Sequence, residues 1–130
     1  MVKILSLLFL SLCLYSAYGS ETPKAVMEAS REKGIKLSVV AQKNIGLRTE
    51  KLVFKGQFLI PATSLVHTKD KTGVYCLRDG WFKFVEVTLL STQGPSLTVS
   101  SKELTPAEII VVAGAALLRV SEMEAFSSEE

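Results

Sequence analysis

The chain is poor in the residues that carry out chemistry. Its 130 residues include one histidine, His67, one tryptophan, Trp81, and two cysteines, Cys13 and Cys76. No second histidine lies near His67, and neither an HxxxH nor a CxxC spacing occurs. A preformed zinc site is therefore not expected, because zinc needs several such ligands held together. The soft ligands His67, Cys76, Met27 and Met123 are scattered along the chain. There is no GxSxG elbow, no glycine-rich phosphate loop and no paired-carboxylate motif. Asp70, Asp79, Glu86 and Glu108 all read as turn or surface residues. No catalytic, cofactor-binding or metal-binding residue is assigned, and an enzyme is the least expected class. A formal net charge of +2 lacks the basic excess of a nucleic-acid binder.

Apolar residues, by contrast, crowd the N-terminus. Lys3 precedes a run from Ile4 to Leu14 broken only by Ser6, Ser11 and Cys13, and Ala17-Tyr18-Gly19 follows with small residues around a cleavage point. This is the pattern of a secretory signal peptide over residues 1–19, cut after Gly19. The run is short for a membrane-spanning helix. Leu12 stands where a lipoprotein signal would need a small residue before Cys13. The expectation is an exported, periplasmic protein whose one remaining cysteine, Cys76, gives no disulfide framework. Lys83, opposite Cys76 in the hairpin described next, would lower the thiol pKa if close. The simpler reading is a half-buried strand residue that packs as a small hydrophobe.

The stretch Gly73–Leu90 reads as two strands joined at Asp79-Gly80. Asp-Gly supplies the positive φ angles of a type I′ turn, which matches strand twist. A two-residue turn sets Arg78 against Trp81, Leu77 against Phe82, Cys76 against Lys83, Tyr75 against Phe84 and Val74 against Val85. Alternation then puts Tyr75, Leu77, Phe82 and Phe84 on a core face. Cys76, Arg78, Trp81 and Lys83 fall on a surface face, where Arg78 and Trp81 read either as a stabilising cation–π contact across the hairpin or as an exposed recognition patch. Val87 and Leu89 are apolar on that polar side. A bulge near Val85 or Glu86 would re-aim them, as would a strand whose two ends meet different layers.

The rest of the chain fits a mainly β fold, a small antiparallel barrel-like domain with one or two short helices. Residues 20–34 are polar and read as a linker or loosely attached helix. Ile35 and Leu37 start a strand, Ser38 caps a helix over Val39–Asn44, and Gly46 ends it. An extended segment runs from Leu47 to Ile60, with Leu52, Phe54, Phe58 and Ile60 on one parity and a bend at Gly56. Ser91–Pro95 reads as a turn, and Ser96–Ser100 as a strand with Leu97 and Val99 on one side. Thr105–Glu108 makes a tight turn before the β-branched strand Ile109–Val112. Residues 35–120 form the expected domain, and residues 121–130 an acidic tail that frays.

Two segments together resemble the periplasmic adaptor proteins (membrane fusion proteins) of resistance-nodulation-division efflux pumps. Residues 35–53 are similar to that family's opening, here Ile45-Gly46-Leu47-Arg48-Thr49-Glu50-Lys51-Leu52. Residues 60–114 are similar to its C-terminal part, through Ile60-Pro61-Ala62-Thr63-Ser64-Leu65-Val66, Gly73-Val74-Tyr75-Cys76-Leu77 with Asp79-Gly80, and Leu104-Thr105-Pro106-Ala107-Glu108 running on to Gly114. Ala107 stands where the family usually has glycine. In the family these segments meet as the membrane-proximal β domain, and about a dozen residues here replace everything between them. The resemblance implies a non-enzymatic periplasmic accessory of an efflux system without a cofactor. It would dock on an inner-membrane transporter or a full-length adaptor, with peripheral membrane association and no nucleic acid among its partners. Thr68–Thr72 and Gln93–Pro95 are the candidate docking loops. Two alternatives stand beside it: a small metal or ligand binder using Cys76, His67 and methionine, and an adaptor remnant without a specific partner.

Overall fold

A computed structural model describes residues 25–127; the expected signal peptide and its cleavage point lie outside them. The chain opens with a hairpin of β1 (Val26–Ser30) and β2 (Gly34–Leu37). The loose linker or helix expected at residues 20–34 is thus, from Val26 onward, an edge strand. A bulge between Val26 and Glu28 resets the alternation, so that Val26 and Ala29 both reach the core. Gly34 is required twice over, by its φ of 103° and because a Cβ there would lie 2.0 Å from the Phe82 carbonyl oxygen.

Helix α1 (Val39–Asn44) forms as its cap predicts, with Ser38 Oγ accepting from the Ala41 N–H at 3.1 Å. Gly46, at φ 67°, turns the chain out of it. The extended segment beyond is three strands, not one: β3 (Arg48–Lys51), β4 (Val53–Phe54) and β5 (Phe58–Pro61). Gly56, at φ 74°, makes a hairpin that pairs Phe54 with Phe58. Leu52, Phe58 and Ile60 reach the core, whereas Phe54 remains half exposed. A 3-10 turn (Ala62–Ser64) leads into β6 (Val66–His67).

β7 (Thr72–Arg78) and β8 (Trp81–Glu86) form the expected hairpin, with φ of 53° at Asp79 and 84° at Gly80. All five cross-strand pairs counted from the turn are present. β9 (Thr88–Gln93), β10 (Ser96–Ser100), β11 (Ile109–Ala113) and α2 (Ala115–Ser127) complete the chain. The turn before β10 is shorter than expected, since β9 runs to Gln93. The Thr105–Glu108 turn closes through the Glu108 N–H and the Thr105 carbonyl at 3.2 Å.

The fold is mainly antiparallel β, as expected, and its strands form two sheets that do not close into a barrel. The larger sheet runs β1-β2-β8-β7-β11-β3, with β6 also paired to β7; the smaller runs β4-β5-β10-β9. Both faces of the β7–β8 hairpin are covered. Tyr75 and Phe82 pack with Ile35, Val111 and Leu118 under α2. Val74, Cys76 and Val85 pack with Ile60, Leu97 and Val99 between the two sheets. The face expected to be surface is therefore buried at Cys76, because the smaller sheet, built from distant residues, lies over it.

That second core also explains Val87. The β7–β8 ladder is unbroken from Arg78–Trp81 to Gly73–Glu86, so no bulge lies at Val85 or Glu86. Val85 and Val87 both enter the inter-sheet core, and the chain crosses to the smaller sheet there. The Val87 N–H still donates to the Thr72 carbonyl at 2.9 Å. The two ends of the strand path thus meet different layers. A bulge occurs further on, where β9 inserts Leu90 between the partners of Thr98 and Val99.

The expected fraying tail is helical to Ser127. Ala115, Leu118 and Glu122 are buried on the inner side of α2. Ala125 and Phe126 also pack against the core beneath it. That contact supplies the free energy that the sequence of this segment does not advertise.

Candidate docking surface

The two loops expected to dock sit on different sheets. Thr68–Lys71 joins β6 to β7 of the larger sheet and is closed by its own hydrogen bonds: Thr68 N–H to the Lys71 carbonyl at 2.8 Å, and Lys71 N–H to Thr68 Oγ1 at 3.0 Å. Gln93–Pro95 turns between β9 and β10 of the smaller sheet, and the Ala62 N–H holds the Pro95 carbonyl at 2.8 Å. Both are pre-shaped by these bonds, and they belong to different sheets.

A denser cluster surrounds Trp81. Lys33 Nζ lies 5.7 Å and Lys36 Nζ 5.5 Å from the ring centroid, within cation–π range. The cations come from the β1–β2 hairpin, which stands beside β8 in the sheet. The expected Arg78–Trp81 contact is not the one formed. Arg78 instead makes a two-pronged ion pair with Glu108, and also donates to the Glu103 carbonyl at 3.2 Å. Glu108 ends the expected Thr105–Glu108 turn, but it is buried there at 8 % exposure. Its hydrogen bond and charge raise the Arg78 pKa further. A shallow groove of about 270 Å³ between Glu32, Lys33, Arg78, Asp79, Trp81 and Lys83 opens beside this cluster. Its charges are mixed in sign. A larger groove, about 430 Å³, is lined by Glu86, Thr88, Ser100, Ser101, Lys102 and Glu103 at the margin of the smaller sheet.

Polar groups inside the fold serve structure. The Tyr75 hydroxyl donates to Glu122 Oε1 at 3.0 Å, and Arg119 Nη1 donates to the same oxygen at 2.6 Å. This triad fastens α2 to the larger sheet. Burial and then the Glu122 charge push the Tyr75 phenol above its ordinary range. Burial, reinforced by the Glu108 charge, pushes the Cys76 thiol up to about 12. The thiol is therefore shielded, not activated beside Lys83.

The soft ligands are not brought together. Cys76 is buried between the sheets, His67 is exposed on β6 against Thr72, Met27 is exposed on β1, and Met123 faces outward on α2. Among the described residues no group of three or more His, Cys, Asp or Glu could hold a metal ion. Nor is any helix among them long and apolar enough to cross a membrane. Sequence reasoning missed Lys33, Lys36 and Glu122. The lysines could be found only by knowing that β1–β2 lies beside β8, and Glu122 only by knowing that α2 forms.

No protein-family model matches the chain. No curated protein matches it either. Among solved structures it is similar to an NMR structure of a 180-residue piece of SilB from Cupriavidus metallidurans CH34, which holds that protein's N-terminal metal-binding site and membrane-proximal domain. The identity is 26 %, the TM-score 0.42, and the likeness covers 58 % of this chain and 44 % of that one. The chain thus spans less than half the length of that structure.

Proposed function

We propose that this chain is a docking accessory of the adaptor type, exported to the periplasm and acting on an efflux transporter or a full adaptor without chemistry of its own. The observation that carries the reading is how the two adaptor-like segments interlock. Strands β2 and β3, from residues 35–53, flank the β8-β7-β11 block drawn from residues 60–114 in one sheet. Segments that resemble the two ends of a longer adaptor thus make one sheet here. The domain offers pre-shaped loops and the lysine-flanked Trp81 to a partner. An amphipathic ring with two cations beside it suits protein contact, since aromatic anchors dominate binding energy at interfaces.

The test is capture in the native host. The exported protein, tagged at its C-terminus, is crosslinked in intact cells and its partners identified by mass spectrometry. Recovery of an inner-membrane transporter or full adaptor, lost in Trp81→Ala, is the expected result. Recovery of soluble partners alone, or of none, overturns the reading.

A further inference from the structure

Helix α1 carries two valines that the fold does not use. Val39 is 81 % and Val40 62 % exposed, while the next residue, Ala41, is buried. β-Branched residues are weak helix formers, so neither valine supports the helix or the core. The described chain enters the fold at the same corner. The Ser38 N–H, next to Val39, donates to the Ala25 carbonyl at 3.0 Å, and Val26 pairs with Leu37. Ala25 is the first described residue, so the upstream segment joins the fold beside the exposed valines. Met27, two residues along β1 from that junction, is 66 % exposed.

We propose that, in the uncut chain, the apolar run Ile4–Leu14 packs on Val39, Val40 and Met27, and that removal of the leader uncovers them. Composition selects this occupant. Leu, Ile and Phe dominate the run, and apolar surface is what the patch has to remove from water. The residues next to the junction, Ser20-Glu21-Thr22-Pro23-Lys24, are polar and cannot serve. The reach is sufficient. Ten residues, Tyr15–Lys24, separate the run from Ala25, and extended chain covers roughly 3.3–3.6 Å per residue, so the run folds back without strain. The tether also favours the chain's own run over that of a second copy. A short flexible linker holds its ends at a local concentration of about millimolar, above that of free protein at micromolar levels. The contact needs no transporter or adaptor. It covers the patch for as long as the leader is attached, and the cut expected after Gly19 frees the patch without a change of fold.

Cys13 lies inside the run and makes the test direct. The full chain of 130 residues is made in a cell-free system without signal peptidase, and its Val39→Cys and Val40→Cys variants are oxidised at micromolar concentration. Cys76, buried between the sheets, stays out of the reaction. A disulfide from Cys13 to position 39 or 40, identified by mass spectrometry, is expected to form about tenfold or more faster than one to Ser91→Cys, an exposed position on the smaller sheet. Its rate is expected to be independent of protein concentration. Equal rates at positions 39, 40 and 91 overturn the proposal, as does a rate that rises with protein concentration, which assigns the contact to a second molecule. Circular dichroism identifies a variant that fails to fold. In that event, proteolysis of the chain with its native cysteines decides. Joint Val39→Asp and Val40→Asp substitution, at positions exposed enough to accept it, is expected to speed chymotrypsin cleavage at Phe9 by about tenfold, the scale of a lost apolar contact. An unchanged cleavage rate overturns the proposal as well.

Discussion

Cys76 shows how a residue's role depends on what lies over it. Sequence alternation sets it opposite Lys83, and the structure pairs the two. The smaller sheet then removes the thiol from water, and its pKa rises from 9.0 to about 12. The direction has a consequence for stability. The folded state favours the protonated thiol, so the unfolded chain releases its proton first as pH rises. The contribution is complete below pH 9.0 and lost progressively towards about 12. Tyr75, raised by burial and by Glu122, acts in the same direction. Urea midpoints should therefore fall between pH 8.5 and pH 11 (about these limits), and fall less steeply in Cys76→Ala. A midpoint flat across that range would contradict the burial of both groups.

At the scale of elements, what was legible was what is locally determined. The β7–β8 hairpin follows from Asp79-Gly80, and α1 follows from the Ser38 cap and Gly46; both needed no knowledge of distant residues. The β1 strand and α2 were not legible for the opposite reason. β1 is polar because it is an edge, and its bulge breaks the alternation that would betray it. α2 buries Glu122 and exposes Leu117, Val120 and Met123, so its apolar pattern points away from the core that holds it. The candidate site was legible only in part: Trp81 was singled out, but its cations arrive from a strand the sequence hides. The hairpin also makes a demand that turn chemistry alone does not state. A Cβ at Gly73 would lie 2.4 Å from the Val85 carbonyl oxygen and 2.5 Å from the Phe84 ring. Gly73→Ala must separate β7 from β8 and should cost about 1–3 kcal/mol, the range for overpacking a tight site. Denaturant unfolding measures this, and an unchanged midpoint would show that the hairpin is slacker than its geometry.

The whole molecule is a large sheet covered on both faces, by α2 on one side and by the smaller sheet on the other. Neither core stands without its cover. Truncation after Gly114 removes Ala115 and Leu118 from the core beneath α2 and leaves Tyr75 without Glu122. Loss of several buried side chains at about 2–5 kcal/mol each exceeds the margin of a small domain, commonly about 5–15 kcal/mol. The truncated chain should therefore lack a cooperative thermal transition and bind a hydrophobic dye. A sharp transition in the truncated protein would show that helix α2, Ala115–Ser127, is an appendage.

The position of β11 between β7 and β3 sets a schedule for biosynthesis. β3 is made well before its ladder partner Ile109–Ala113, which follows it only after a long stretch of chain. At about 5–20 residues per second, β3 waits several seconds with no strand beside it. The larger sheet is thus closed by a strand made long after β3, and a polypeptide whose sheet stays open stays threadable over that interval.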